Sequence, residues 1–257
     1  MKRRSVLLRL AALSLATGAA GCSSLTNWSA GKRMMPAGPR AFDPATDTLA
    51  VVLPELESVS GMEPLAAPEL RAHVTALVTR QFFLQAQFAP TQPPPDAATR
   101  LALVREVLRR ELTGQGAGRS PVVIPGYANL REFSRLQGHV VRAESAIVWP
   151  HAHQASLFAK AFARAGGQSQ AFAQLLPAVA ANRPAVVRLY RQHALRYARS
   201  LLVFGVEDGQ DSVRFAAHDP LRPGQPVQLT YDRGTRSFTL SDADSASGSA
   251  VGVEVVL

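Results

Sequence analysis

The sequence predicts an α+β fold in which N-terminal helices pack on a C-terminal antiparallel sheet. Apolar residues at helical spacing occupy most of residues 68–182, whereas short β-branched runs separated by turn residues occupy 184–257. Helices in one half of a chain and strands in the other are typical of this class. The sequence contains no internal repeat. We therefore expect one domain over residues 46–257, helix-rich at 68–182 and strand-rich at 184–257.

The first long helix is predicted over residues 68–88. Pro68 and Glu69 suit its first turn, where a missing N–H costs nothing and a negative charge meets the positive end of the helix dipole. Apolar side chains then recur at helical spacing, at Leu70, Val74, Leu77, Val78 and Phe82. This spacing predicts an amphipathic helix with a substantial buried face.

Further helices are predicted over residues 96–112, 130–146, 150–164 and 168–181. Asn129, followed three residues later by Glu132, resembles a capping box and marks the start of the second of these helices. Two short apolar runs in this half, residues 47–53 and 121–124, are predicted to be strands.

The strand-rich part is predicted to form an antiparallel meander. Its β-like runs cover residues 184–190, 201–206, 212–217, 225–231, 236–240 and 251–257. The connections contain Asp208-Gly209, Pro223-Gly224 and Arg233-Gly234. These residue types accommodate tight reversals of the chain, so consecutive strands are expected to pair with each other.

Residues 1–21 have the order of a secretory signal peptide. Lys2, Arg3 and Arg4 form a cationic head, and residues 6–20 form an apolar stretch shorter than the roughly 20 residues that span a bilayer. Small residues then lead to Cys22, which is the only cysteine of the 257 residues. The cationic head also resembles a twin-arginine export motif, so both that route and general secretion remain open.

Ala19-Ala20-Gly21-Cys22 resembles a bacterial lipobox. The resemblance implies that Cys22 becomes the acylated first residue of the mature protein, with palmitate among its acyl chains, and that residues 22–45 form a lipidated tether. Ser23 stands where Asp usually marks retention in the inner membrane, which implies the outer membrane, facing the periplasm. We therefore expect a membrane partner through the lipid anchor.

Charge and composition exclude several classes of function. Removal of residues 1–21, which hold four basic residues and no acidic residue, lowers the net charge from +9 to +5. This mild charge, without basic runs interleaved with aromatic residues, does not predict nucleic-acid binding. It is compatible with an envelope protein or glycan partner. With Cys22 consumed by acylation, no disulfide and no thiol chemistry are expected.

One stretch of the strand-rich part resembles a known family. Ser200 to Glu207 form a strand, Val213-Arg214-Phe215 lie in the next, and His218-Asp219-Pro220 follow. This pattern resembles the C-terminal half of papain-like domains in bacterial envelope proteins. In those domains the first strand opens with the catalytic His, the next ends in Asp-Pro-Asn, and the nucleophilic Cys starts a long upstream helix.

The chain departs from this family at most of the chemical positions. The resemblance places the nucleophile near Ala72, where there is no Cys, and the catalytic His at Arg199-Ser200. Only Asp219 of the triad remains. The resemblance therefore implies a papain-like scaffold without its Cys–His chemistry, because one missing element breaks the proton path.

Asp219 has two interpretations from the sequence. It could orient His193 or His218 in an envelope hydrolase that acts on peptide, amide or glycan bonds, or its carboxylate could cap the turn that follows it. We therefore single out Asp219, His218 and His193 as a vestigial site and predict no catalytic residue. The favoured function is a non-catalytic binding or assembly domain of an envelope lipoprotein.

Metal and cofactor sites are not predicted. His151 and His153 are two residues apart and would face different sides of a helix. Asp242, Asp244 and Ser245 lack the glycine and the distal Glu of a calcium loop. We expect neither a metal nor a cofactor.

Overall fold

The computed structural model describes residues 32–33, 40–53, 67–112, 120–148, 165–191, 197–225, 227–242 and 245–256. In chain order the elements are β1 (Lys32–Arg33), α1 (Ala67–Gln85), β2 (Ala86–Ala89), α2 (Ala97–Leu112), β3 (Val122–Pro125), α3 (Leu130–Leu136), α4 (Gly138–Ser145), α5 (Ala165–Ala180), β4 (Ala185–Arg191), β5 (Tyr197–Asp208), β6 (Ser212–His218), β7 (Val227–Asp232), β8 (Ser237–Asp242) and β9 (Ser245–Val256). The predicted α+β class is confirmed. The predicted helix at 150–164 and the residues Cys22, His151, His153 and His193 lie outside the described residues.

The C-terminal strands form a closed six-stranded antiparallel barrel, which the meander prediction did not include. The strand order is β5-β4-β9-β8-β7-β6, and β6 pairs back to β5. Closure depends on β5, whose first half pairs with β4 and whose second half pairs with β6. Its register to β6 shifts between Val203 and Gly205, and such a bulge bends a strand and increases its twist.

Alternate residues of each strand point into the barrel. Most of these inward residues are apolar, so the interior is mainly apolar. The inward side chains that form this cluster are Ala185, Val187 and Leu189 from β4, Leu201, Val203 and Val206 from β5, Val213, Phe215 and Ala217 from β6, Val227, Leu229 and Tyr231 from β7, Phe238 and Leu240 from β8, and Val251 and Val253 from β9. Helix α5 adds Ala171, Leu175 and Val179 to the same cluster. Burial of this set stabilises the strand-rich half.

Helix α1 lies between the barrel and the other helices. Leu70, Val74, Val78 and Phe82 pack into the helical core, whereas Ala76 packs with barrel residues. The predicted buried face is therefore present, and the helix has a second buried side against the barrel, to which Phe83 also contributes.

The helical half contains a short parallel pair, β2 with β3, that continues directly from α1. The strand predicted at 121–124 is confirmed as β3, whereas the helix predicted over 68–88 ends at Gln85 and becomes β2. Asn129 caps α3 as predicted, because its Oδ1 accepts a 2.8 Å hydrogen bond from Glu132 N–H. The helix predicted over 130–146 breaks at Gln137 into α3 and α4.

The strand predicted at 47–53 is absent from the described residues 40–53, which are irregular. Turn hydrogen bonds such as Asp47 N–H to Asp43 O and contacts with side chains replace strand pairing there: Asp47 Oδ2 accepts from Asp43 N–H at 2.9 Å, and Ser134 Oγ accepts from Ala50 N–H at 2.9 Å. Leu53 at the end of the run lies in the helical core, whereas the β-branched Val52 is exposed.

Part of the predicted tether is structured. β1 pairs with Glu207 and Asp208 of β5, and Phe42 is buried against Phe83 and Phe204. Among the described helices, none has the length and apolar character needed to cross a membrane.

Candidate functional site

The candidate site lies near the start of strand β5, at Arg199 and Ser200. These residues are neighbours on a strand, so their side chains point to opposite faces of the barrel wall. Ser200 shares its face with Leu202, which packs with Ala76 of α1. Arg199 shares the opposite, inward face with Leu201.

On the outer face, His73 of α1 contacts Ser200. The Nδ1 of His73 and the Oγ of Ser200 are 2.9 Å apart, and both residues are buried. Burial, and then the nearby Arg188 guanidinium, hold the pKa of His73 well below its usual value. The imidazole is therefore neutral in the folded protein and joins α1 to β5.

Arg188 continues this outer face across the next strands. It stands opposite Ser200 on β5 and opposite Glu254 on β9. Its Nη1 lies 3.5 Å from Glu254 Oε2, and the same oxygen accepts a 2.7 Å hydrogen bond from the Tyr190 hydroxyl. Burial and the Glu254 carboxylate raise the pKa of Tyr190, so its hydroxyl remains a donor.

These five side chains, His73, Ser200, Arg188, Glu254 and Tyr190, are called here the polar layer. They lie on the side of the barrel wall that α1 covers, and one ion pair and two hydrogen bonds link their members in two groups. Arg188 is 1 % exposed and is the largest fully buried side chain of the described residues. A buried guanidinium is tolerated only with a compensating charge, which Glu254 supplies.

Asp219 lies on the other face and is fully buried. Its Oδ2 accepts a 2.6 Å hydrogen bond from Arg199 Nε, and Arg199 Nη2 also contacts this oxygen. Its Oδ1 accepts a 2.9 Å hydrogen bond from Leu221 N–H. The carboxylate therefore caps the following turn, as one sequence interpretation expected, and neutralises Arg199.

His218 is the last residue of β6, and its side chain points to the outer face of the barrel wall, opposite to Asp219. Burial, opposed by Asp219 and assisted by Arg131, lowers the pKa of His218. His218 and Asp219, the predicted pair, are not joined by a hydrogen bond, because the two carboxylate oxygens of Asp219 accept from Arg199 and Leu221. His193, the third predicted member, lies outside the described residues.

The arrangement separates the elements that a catalytic triad would need together. A relay requires one base that contacts both the nucleophile and the orienting acid. Here α1 contacts Ser200, whereas Asp219 contacts Arg199, on the opposite face of the same strand. Ser200 and His73 have the separation of a nucleophile and a base, but Ser200 is 0 % exposed and no substrate carbonyl can reach its Oγ.

No motif in the sequence predicts the polar layer. Its signal is the presence of single charged residues of opposite sign, Arg188 and Glu254, inside two otherwise apolar strand segments. Such residues on paired strands are expected to stand opposite each other. For metals, the described residues contain no group of three or more His, Cys, Asp or Glu side chains that could hold an ion.

Comparison with known proteins adds one match. A family model described as a domain of unknown function (DUF8321) matches residues 73–144, which run from α1 to α4 and include no strand of the barrel. The match covers less than a third of the chain and assigns no activity. No curated protein and no solved structure matches the chain.

Proposed function

We propose that the protein is a cell-envelope lipoprotein whose folded domain is a non-catalytic binding or assembly module on a papain-like scaffold. The observation that carries the proposal is the set of contacts that Arg199 and Ser200 make. At the strand opening where a papain-like enzyme would hold its catalytic His, one residue neutralises Asp219 and the other packs against α1.

The geometry of α1 supports the scaffold. A long helix whose N-terminal half lies against the opening of a barrel strand, with an acid at the end of the next strand, is the arrangement that the sequence resemblance implies. His73 and Asp219 occupy these two places. Residues 72 and 73 provide a methyl group and a buried imidazole rather than a thiol, so the scaffold retains its packing and lacks a nucleophile.

The proposed location follows from the first 22 residues and not from the fold. The lipobox-like sequence would attach acyl chains to Cys22, and more than one chain is needed for stable anchoring. The proposed location of the lipid anchor is the outer membrane. The domain would lie in the periplasm, with a protein or glycan of the envelope as its partner. An assembly role in a larger envelope complex belongs to the same proposal.

Metabolic labelling with alkyne-palmitate tests the anchor. The full chain, expressed in a bacterium with lipoprotein processing, is expected to incorporate the label and to fractionate with membranes. Cys22→Ser is expected to lose both properties, whereas Ser23→Ala should retain them. Absence of label in the wild type, or label that survives Cys22→Ser, would reject the anchor.

A separate assay tests the absence of catalysis. Purified full chain in detergent is incubated with peptidoglycan and with a mixture of unmodified peptides, and the products are analysed by mass spectrometry. No cleavage above a heat-denatured control is expected. Cleavage that disappears in Asp219→Asn would instead support the hydrolase that the sequence left open with His193 or His218.

A further inference from the structure

A cavity of about 650 Å³ lies at the opposite end of α1 from the polar layer. Phe83 and Phe88 line it from the end of α1 and from β2, Asn129 from the start of α3, and Asn182 and Arg183 from the turn after α5. Its volume is in the range of sites for small ligands. Ten residues of helix, or about 15 Å, separate Phe83 from His73, so this cavity is distinct from the polar layer.

Asn182 has a polar group that the fold does not use. The residue is 7 % exposed, and its Oδ1 has no hydrogen-bond partner among the described residues. A buried acceptor without a donor is costly, and it often indicates a site that a ligand or water completes.

The backbone of Asn182 does not require an asparagine side chain. Its φ is 55°, and the hydrogen bonds Asn182 N–H to Val179 O and Arg183 N–H to Ala178 O end helix α5 as a Schellman motif. Glycine is the usual residue at this position and asparagine also occurs there. The helix end makes no use of the Oδ1 atom, and Asn182 lines the cavity.

Positive charge lies beside this amide. Arg183 is exposed at the cavity, and Arg40 lines it from another side with its guanidinium 4.8 Å from the centre of the Phe83 ring. Asp47 compensates Arg40 through a 2.6 Å contact. Arg183 has no ion pair with the described residues, so the described lining of the cavity carries a net positive charge.

The complementary ligand has three parts. An N–H group would donate to Asn182 Oδ1, a carboxylate would pair with Arg183, and an apolar side chain would lie against Phe83 and Phe88. The last residue of a peptide has an amide N–H and a carboxylate on the same carbon, on either side of one side chain. Capture of a C-terminal carboxylate is a recurring mode of peptide recognition.

We propose that this cavity binds the free C-terminus of a peptide that ends in an apolar residue. Arg183 holds the carboxylate, Asn182 accepts the N–H of the last residue, and the two phenylalanines contact its side chain. This proposal names a ligand class for the binding function proposed above, but it does not depend on the lipid anchor or on the papain-like scaffold.

Isothermal titration calorimetry with the full chain in detergent tests this site. The probe is the peptide acetyl-Gly-Gly-Ala-Leu with a free carboxylate, compared with the same peptide as its C-terminal amide. The free acid is expected to bind at least about tenfold more tightly, because an ion pair with Arg183 is lost in the amide. The difference should decrease as salt is added.

Three variants assign the contacts. Arg183→Gln is expected to abolish the difference between acid and amide, and Asn182→Gly to weaken both peptides while thermal stability is retained, since glycine suits the helix end. Arg135→Gln removes an exposed positive charge on α3, outside the cavity, and should bind like the wild type.

The proposal fails if neither peptide binds at millimolar concentration, or if acid and amide bind equally to the wild type. It also fails if folded Arg183→Gln still prefers the acid. The palmitate and cleavage assays described above are independent of these results, so failure of one proposal is distinguishable from failure of the other.

Discussion

The interior of the barrel and its outer surface against α1 are both buried, but they are built from different chemistry. Apart from the ion pair of Arg199 with Asp219, the interior consists of aliphatic and aromatic side chains from all six strands and α5. The contact with α1 combines the apolar packing of Ala76 against Leu202 with the polar layer and with Arg80 of α1, whose Nε donates a 2.7 Å hydrogen bond to Pro184 O. The inner and outer faces of the barrel wall therefore differ in their proportion of polar side chains.

The difference indicates what each face contributes. Apolar burial is non-directional and stabilises any packing of about the right volume. Buried polar groups stabilise only the arrangement in which each meets its partner, because an unpaired group is costly. We infer that the interior holds the barrel together, whereas the polar layer fixes the position of α1 on it.

The largest effect is expected when one member of the polar layer loses its charge partner. Glu254→Leu leaves the buried Arg188 uncompensated and should lower the free energy of unfolding by about 3–5 kcal/mol. Chemical denaturation monitored by circular dichroism measures this change. The double variant Arg188→Met/Glu254→Leu removes both charges and should recover most of the loss. Equal instability of the double variant would contradict the proposed pairing.

The barrel interior should respond to volume rather than to chemistry. Leu229→Ala leaves a cavity among fully buried neighbours and is expected to cost about 2–5 kcal/mol. Leu229→Met conserves volume and should cost less than about 1.5 kcal/mol. The matched exchange in the polar layer, Arg188→Lys, changes little volume but alters the geometry of the contact with Glu254, and it should cost more than Leu229→Met. The reverse order would remove the distinction between the two faces.

The polar layer should also make stability depend on pH. Because the pKa of His73 is lowered in the folded protein, the unfolded chain binds a proton first, at about pH 6.5. The free energy of unfolding should therefore fall as pH decreases below about 6.5, by up to 1.4 kcal/mol per pH unit for each such histidine. His218 contributes with the same sign.

Denaturation midpoints between pH 7 and pH 5 measure this dependence. His73→Gln, which can still hydrogen-bond with Ser200, should reduce the slope because one of the two histidines is removed. The matched exchange of an exposed imidazole, His139→Gln, provides the control for the substitution itself. A wild-type slope that His73→Gln does not alter would show that this imidazole is not buried as a neutral group.

The smallest effect is expected far from either face, at the start of α3. Asn129→Ala removes the acceptor for Glu132 N–H and should cost about 1 kcal/mol. Asn129→Asp keeps an acceptor at this position and should cost less. Equal losses in the two variants would mean that the cap contributes through something other than this hydrogen bond.

The strands of the barrel were predictable because their patterns are local. Alternation of apolar residues and turn dipeptides identified each strand from β4 to β8 within a few residues. Closure was not predictable, since it depends on β5 pairing with two partners and on the bulge near Gly205. The run at 47–53 shows the opposite case. Its β-branched residues fit a strand, but Asp47 N–H donates to Asp43 O within a turn and Ala50 N–H donates to the Ser134 hydroxyl.

The candidate site was predictable only in part. The turn-capping interpretation of Asp219 required knowledge of the next two residues, and the structure bears it out through Leu221 N–H. The partners of Asp219 and Ser200 come from residues 20 and 127 positions away, Arg199 and His73. Contacts at such separation follow from strand pairing and helix docking, which no local pattern specifies.

We propose that Ser200, near the start of β5, serves packing and not covalent catalysis. Treatment of the full chain with a fluorophosphonate probe, followed by peptide mapping, tests this claim directly, because such probes label serines activated by a base. We predict no adduct on Ser200 in the native protein. An adduct on Ser200 that disappears in His73→Gln would show an accessible, activated nucleophile and would contradict the account.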